Sequence, residues 1–190
     1  MQLLAGMAIF FGMHSIAIVA PAWRDQMAAR LGEAAWKGLY GIASIVGFLL
    51  VVKGYGAARL DPTILYQPPT WLRHIAAILM VPVFPLLFAA YFPGRIKAAA
   101  QHPMLAATKL WATAHLLANG TVADVLVFGG FLAWAVADRI SLKRRTPRAS
   151  PALPEGRYND LIAVVLGFAL YVWFIASAHA RLFGVSPTAG

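Results

Sequence analysis

Long apolar stretches separated by short polar ones dominate the hydropathy pattern of this chain. A helix that crosses a membrane needs about 20 mostly apolar residues, and several stretches reach or approach that length. They lie at about 2–20, 38–58, 75–92, 103–118, 121–137 and 161–180. The pattern therefore predicts an all-α protein, an integral membrane bundle of about six transmembrane helices.

Local signals mark the boundary between the fourth and fifth apolar stretches. Asn119-Gly120 is typical of a helix C-terminus, because both residues tolerate the left-handed backbone conformation. Thr121, followed three residues later by Asp124, matches the capping pattern of a helix N-terminus. We therefore expect one helix to end at about residue 118 and the next to begin at about residue 121.

The composition agrees with a membrane protein, since 61% of the residues are hydrophobic and 12% are charged, against about 25% charged in soluble domains. The basic residues cluster between the apolar stretches, which favours contact with lipid and argues against a nucleic-acid surface. With the N-terminus outside, eleven Lys and Arg residues fall on the inner side and four on the outer side. This positive-inside bias predicts that both termini lie outside.

One segment is both long and polar, residues 139–157, RISLKRRTPRASPALPEGR. Its prolines and like charges are typical of a flexible loop and not of a folded domain. The chain 1–190 is therefore predicted to be a single transmembrane domain with a basic cytoplasmic loop at 139–157. Such a loop could bind anionic lipid or a partner protein.

The candidate chemistry lies in the histidines, because the chain contains no cysteine and so excludes disulfides and thiolate ligands. Ionisable groups inside a transmembrane helix are costly and mark functional sites. His14 is predicted to lie in the middle of the first span, and His115 lies within the fourth. His74 and His179 fall near span ends, while His102 precedes Pro103 and is expected to cap a helix.

Helical periodicity gives each of the two interior histidines a face that resembles a pocket. His115 shares its face with Trp111 and Ala112, and His14 shares its face with Phe10 and other apolar residues. Two imidazoles on different helices of a cysteine-free bundle suit a b-type haem with a histidine on each side. Zinc fits less well, because a structural zinc site needs four ligands.

The alternatives to ligation are ordinary polar contacts. His14 could bond a Ser, a Thr or a backbone carbonyl of another helix, and His115 could bond Asn119 or Asp124. Lys109 lies about 120° around the helix from His115. It either extends toward the membrane surface or pairs with Asp138 or with a haem propionate. His74 is the second choice of partner for His115.

Several stretches resemble the NnrU family of bacterial inner-membrane proteins, which is named for its association with nitrite and nitric oxide reduction. The resemblance lies in HSIAIVAPAWR (14–24), GEAAWKGLYGIASIVGFLLVVKGYG (32–56), PPTWLRHIAA (68–77), PGRIKAAAQHPMLAATKLWATAHLLANGT (93–121), FGGFLAWAVADRISLKRR (128–145) and FGVSP (183–187). It implies a multi-pass protein of the bacterial inner membrane, and together with the charge bias it implies periplasmic termini. It also implies a role in denitrification.

Two blocks are also similar, more distantly, to the 15-cis-zeta-carotene isomerase family of plants and cyanobacteria. They are the block that begins with HS (14–15) and the block that contains HPM (102–104), Trp111 and AH (114–115). Those membrane enzymes hold a b-type haem with two histidines, and the resemblance places the ligands on His14 and His115. The isomerases have a cysteine three residues before the second histidine, where this chain has Ala112. A function that depends on a thiolate at that position is therefore lost.

Three hypotheses follow. The leading one is a haem-b membrane protein linked to nitrite and nitric oxide reduction, with iron ligands His14 and His115. Trp111 would lie beside the cofactor, and Lys109 would pair with a propionate. The second is a haem-dependent cis–trans isomerase of a carotenoid-like polyene. The third is a non-catalytic accessory or assembly factor of a respiratory or nitric oxide reductase complex.

Overall fold

The architecture is helical throughout the residues that the computed structural model describes, which are 1–146, 148 and 152–187. In this part of the chain there is no strand, only an isolated bridge between Ile64 and Thr121. The helices are α1 (Gln2–Val19), α2 (Pro21–Leu31), α3 (Glu33–Ala58), α4 (Trp71–Met80), α5 (Val83–Ala89), α6 (Arg95–Ala100), α7 (Pro103–Ala118), α8 (Val122–Leu142), α9 (Asn159–Trp173) and α10 (His179–Phe183), with a π-helical stretch, Phe174–Ala178, between the last two.

Five helical segments within the described residues are long and apolar enough to cross a membrane: Gln2–Val19, Glu33–Ala58, Trp71–Ala89, Val122–Leu142 and Asn159–Phe183. At most 17% of the residues in the most apolar part of each segment are buried. Their exposed surfaces carry large apolar side chains, which lipid solvates and water does not. The prediction of an all-α membrane bundle is confirmed.

The predicted fourth span forms a helix but a short one. Helix α7 has 16 residues, or about 24 Å, against a hydrocarbon core of about 30 Å. A short helix crosses only where the bilayer thins or where flanking polar groups reach the surface. The number of six crossings therefore stays a prediction.

The predicted boundaries are largely confirmed, with three corrections. The third span begins at Trp71 and not at about 75, and its helix is interrupted between Met80 and Val83. Helix α3 begins at Glu33 and not at about 38. Helix α8 continues to Leu142, so the first residues of the segment predicted as a loop at 139–157 are helical. A helix does not have to end where the apolar residues end, since its hydrogen bonds lie within the backbone. Residues 147 and 149–151 of that segment lie outside the described residues.

The chain forms two compact units, one from residues 1–64 and 121–146, the other from 65–120 and 147–190. Whether they act as one domain stays a prediction. In the first unit, glycines bring the antiparallel helices α1 and α3 into backbone contact. A Cβ atom on Gly6 would lie 2.8 Å from the carbonyl oxygen of Gly47, and one on Gly54 would overlap the backbone of Leu3. Small residues are the usual means of close helix packing in membranes.

Helix α8 is fixed in this unit at its N-terminus. Thr121 and Asp124 form a reciprocal capping box, as the sequence predicts. The other carboxylate oxygen of Asp124 accepts a hydrogen bond of 2.5 Å from the Tyr55 hydroxyl on α3. Because Asp124 is 4% exposed, these donors satisfy a carboxylate that would otherwise be buried at high cost.

In the second unit, α9 packs against α5 and reaches α4 through one hydrogen bond. Gly167 lies on the backbone of Pro85, where a Cβ atom would overlap. One helical turn further along, the Tyr171 hydroxyl donates to the carbonyl oxygen of Ala77 at 2.9 Å. At the opposite end of α9, Asp160 accepts from the backbone N–H groups of Arg95 and Ile96 at 2.9 and 3.0 Å. These contacts fix α9 at both ends.

The Gly54 contact predicts a specific loss of stability. In Gly54→Ala the added methyl group meets the Leu3 backbone, so we expect the free energy of unfolding to fall by about 1–3 kcal/mol. The matched control is Gly56→Ala, two residues along α3, where a Cβ atom meets nothing within 4 Å. The control should be neutral or stabilising, since Ala favours a helix over Gly. Thermal unfolding in detergent measures both, and equal midpoints for the two variants would contradict the contact.

The short α7 makes the topology testable. If α7 crosses the membrane, an alkaline phosphatase fused after residue 60 and one fused at the C-terminus should both be active, because both sites are then periplasmic. A green fluorescent protein at the same two positions should stay dark. If the alkaline phosphatase at the C-terminus is inactive and the green fluorescent protein there fluoresces, while the fusions after residue 60 behave as expected, α7 does not cross the membrane. The prediction of periplasmic termini at both ends is then wrong.

Candidate functional site

His14 of the first unit lies among aromatic rings. Its ring stacks on Phe10 with centroids 4.0 Å apart, and the rings of Tyr40 and Trp134 lie at 5.2 and 5.5 Å. Its Nδ1 bonds the Phe10 carbonyl oxygen at 2.8 Å, one turn back on the same helix. The predicted alternative is a bond to another helix, whereas the carbonyl that His14 bonds belongs to α1 itself.

The Phe10 bond also sets the tautomer of the neutral His14 ring. A carbonyl oxygen only accepts, so Nδ1 carries the hydrogen and the lone pair is on Nε2. Metal-binding histidines are commonly oriented by this kind of bond. The indole Nε1 of Trp134 is buried and has no hydrogen-bond partner among the described residues, so an acceptor beside His14 would find a donor there.

His115 of the second unit has the same arrangement on α7. Its Nδ1 bonds the Trp111 carbonyl oxygen at 2.8 Å, again four residues back, and the lone pair is on Nε2. The Trp111 ring lies 5.1 Å from the His115 ring. Asn119, a predicted partner of the His115 side chain, instead donates from its own amide to the His115 backbone oxygen at 2.9 Å.

His115 lines a cavity of about 410 Å³ that lies wholly within the second unit. The walls are mostly apolar side chains from α4, α5, α7, α9 and the π-helical stretch. The polar lining residues are few, and the charged one among them is Arg73. The cavity is lined by Arg73, Ala76, Ala77, Met80, Phe84, Ala114, His115, Ala118, Asn119, Tyr171, Phe174, Ile175, His179, Gly184, Val185, Ser186 and Pro187. A few polar groups in an apolar cavity are typical of small-molecule sites.

A second histidine, His179, lines the same cavity. Its ring centroid lies 6.5 Å from that of His115, and the two ring planes are 27° apart. Its Nδ1 bonds the Val185 carbonyl oxygen at 2.7 Å, which again places the lone pair on Nε2. Gly184 has φ +71° and ends α10 in the left-handed conformation. This turn brings the Val185 carbonyl back to His179.

The other predicted residues lie outside this arrangement or at its margin. His74 is exposed on the first turn of α4, and Lys109 is half-buried on α7. Asp138, a predicted partner of Lys109, bonds Arg145 at 2.7 Å. His102 occupies the cap position of α7 as predicted, but its side chain makes no capping bond.

Sequence reasoning missed the pairing of His179 with His115. The depth of His179 in the sixth span was the available signal, but it also fitted an ordinary polar residue at the membrane surface. The π-helical stretch just before His179 leaves no mark in the hydropathy pattern. Helical periodicity assumes 3.6 residues per turn, so it assigns the wrong face to a residue that follows a wider turn.

Comparison with known proteins gives one match. The NnrU family model, described as "NnrU protein", matches residues 2–187. The chain belongs to the NnrU family. No curated protein and no solved structure matches it, so the similarity to zeta-carotene isomerase stays a prediction. For this NnrU-family protein the expected membrane character and family are both confirmed.

The donor set of this NnrU-family protein limits what it can bind. Within the described residues there is no group of three or more His, Asp or Glu side chains that could hold a metal ion. A bare zinc ion needs at least three protein ligands. Paired imidazoles in an apolar cavity instead suit a metal whose remaining ligands come from a macrocycle.

Proposed function

We propose that this NnrU-family protein binds haem b within the membrane and takes part in bacterial nitrite and nitric oxide reduction, with His115 as an iron ligand. The observation that carries the proposal is the His115 ring at the wall of the 410 Å³ cavity, with Nδ1 held by the Trp111 carbonyl oxygen. That bond orients the ring and, in the neutral imidazole, places the lone pair on Nε2, the nitrogen that would ligate a metal. His14 as the second ligand stays a sequence prediction.

The lining of the cavity fits the cofactor. Met80, Phe84, Phe174 and Ile175 are apolar and exclude water, and Ala114 and Ala118 leave room beside His115. A bound haem b would supply a reversible one-electron couple. Arg73 or the predicted Lys109 would supply positive charge for the propionates.

The cellular setting is part of the same proposal. The protein would lie in the bacterial inner membrane, in contact with lipid along its exposed apolar faces, with periplasmic termini. Its partner would be a respiratory or nitric oxide reductase component. The basic residues at the end of α8, where Arg144 and Lys143 lie, offer a contact surface for such a partner or for anionic lipid.

Absorption spectroscopy tests the haem. The protein, produced with haem supplied and purified in detergent, should show a Soret band that sharpens and shifts on reduction with dithionite. His115→Ala should lower the haem content at least several-fold, because an iron ligand is lost. The control is His74→Ala, at an exposed position on α4, which should bind as wild type. A wild-type preparation without a Soret band would refute the proposal, and an unchanged His115→Ala spectrum would refute this ligand.

A growth experiment tests the role. A denitrifying strain without the gene should consume nitrite or nitric oxide more slowly, and the wild-type gene should restore the rate. The His115→Ala gene should fail to restore it at equal protein level, since the cofactor is lost, while His74→Ala should succeed. Equal consumption with and without the gene would exclude the proposed role. Haem binding would still be decided by the absorption spectrum.

A further inference from the structure

The second iron ligand can be sought within the cavity that contains His115. His179 lines that cavity from the opposite helical segment, and its Nδ1 is held by the Val185 carbonyl oxygen. His115 and His179 therefore have equivalent hydrogen-bonding arrangements, each with the lone pair on Nε2. Polar side chains in the membrane interior are costly and usually mark functional sites. Two imidazoles with this arrangement in one apolar cavity therefore favour a role in ligand binding.

The separation of the two rings distinguishes between modes of ligation. A bond from a metal to an imidazole nitrogen is about 2.0 Å long, so rings on opposite sides of one ion have centroids about 6 Å apart. Adjacent ligands of a tetrahedral ion bring the rings closer. The observed separation of 6.5 Å between the ring centroids is closer to the spacing of opposite ligands than to that of adjacent ones.

The backbone around His179 gives a second, independent observation. The chain adopts a π-helix over Phe174–Ala178, directly before His179. A π-helix is rare and occurs mostly as a single wide turn inside an α-helix, frequently at a functional site. Phe174 and Ile175 of this stretch line the cavity. The widened turn therefore shapes the wall and sets the face on which His179 lies.

We infer that His179 is the iron ligand opposite His115, in place of the predicted His14, and that Arg73 binds a haem propionate at the same cavity. This inference rests on the proposed haem function and names the residues that complete it. Arg73 is the cation among the lining residues, and Asn119 and Ser186 add neutral polar groups. Apolar walls, two neighbouring imidazoles and a cation correspond to the apolar ring, the iron and the carboxylates of haem b.

Spectra of ligand variants of the full-length protein test the assignment. In His179→Gly, His115 should retain the haem, but the low-spin spectrum of a doubly ligated iron should become high-spin. Imidazole added to this variant should restore the low-spin spectrum by filling the vacated position. In His179→Met the iron should stay low-spin with a raised reduction potential, because Met with His gives a higher potential than two His. His14→Ala tests the competing sequence prediction, and its spectrum should stay that of the wild type if His179 is the second ligand. His74→Ala is the control, at an exposed position on α4.

The outcomes separate the inference from the proposal on which it rests. A high-spin His14→Ala together with an unchanged His179→Gly would overturn the inference and leave the haem function in place. Absence of a Soret band in the wild type would overturn both. If His179→Gly does not elute as a single species in detergent, the potential of His179→Met decides, and a wild-type potential would overturn the inference.

Haem retention tests Arg73. Transfer of haem to excess apomyoglobin should be roughly tenfold faster from Arg73→Gln than from wild type, as expected when a supporting contact to a metal site is lost. The control is Arg59→Gln, which removes a cation outside the cavity and should match wild type. Equal transfer rates for Arg73→Gln and Arg59→Gln would overturn the assignment of Arg73.

Discussion

The absence of water at membrane depth is the constraint on which this structure depends. Every donor within the hydrocarbon must find an acceptor in the protein, because an unpaired polar group there costs several kcal/mol. The chain meets much of this demand with backbone carbonyls, although the buried Trp134 indole N–H has no partner among the described residues. His14, His115, Thr108 and Ser177 each bond the carbonyl oxygen four residues back on their own helix, and Tyr171 bonds a carbonyl of a neighbouring helix. For the imidazoles of His14 and His115, this bond places the hydrogen on Nδ1 and the lone pair on Nε2.

Much of the fold could be predicted because hydropathy reports the environment of a helix directly. The span at α1 follows from one uninterrupted run of mostly apolar residues. The capping box follows from the spacing of Thr121 and Asp124. The ends of α3 and α8 could not be predicted in the same way. Both helices continue into polar sequence, where backbone hydrogen bonding and not apolarity maintains the helix.

The candidate site was predictable only in part. The depth and helical face of His115 mark it as a candidate ligand, and its contact with Trp111 follows from their spacing along one face. The proximity of the His115 and His179 rings depends on how α7 packs in the second unit and on a change of helical pitch. A single sequence carries no signal for either, since packing partners and backbone irregularities arise from tertiary contacts.

The π-helical stretch before His179 places a limit on how this protein can change. Five residues occupy a turn that an α-helix would make with fewer, so a one-residue deletion there would let the segment relax to regular α-helix. Because five π-helical residues and four α-helical residues each complete about one turn, the chain after such a deletion would keep its direction, and so would the turn at Gly184. The wide turn itself would be lost, and with it the shape that Phe174 and Ile175 give to the cavity wall. Evolution can therefore exchange apolar side chains in this segment more readily than it can shorten the segment.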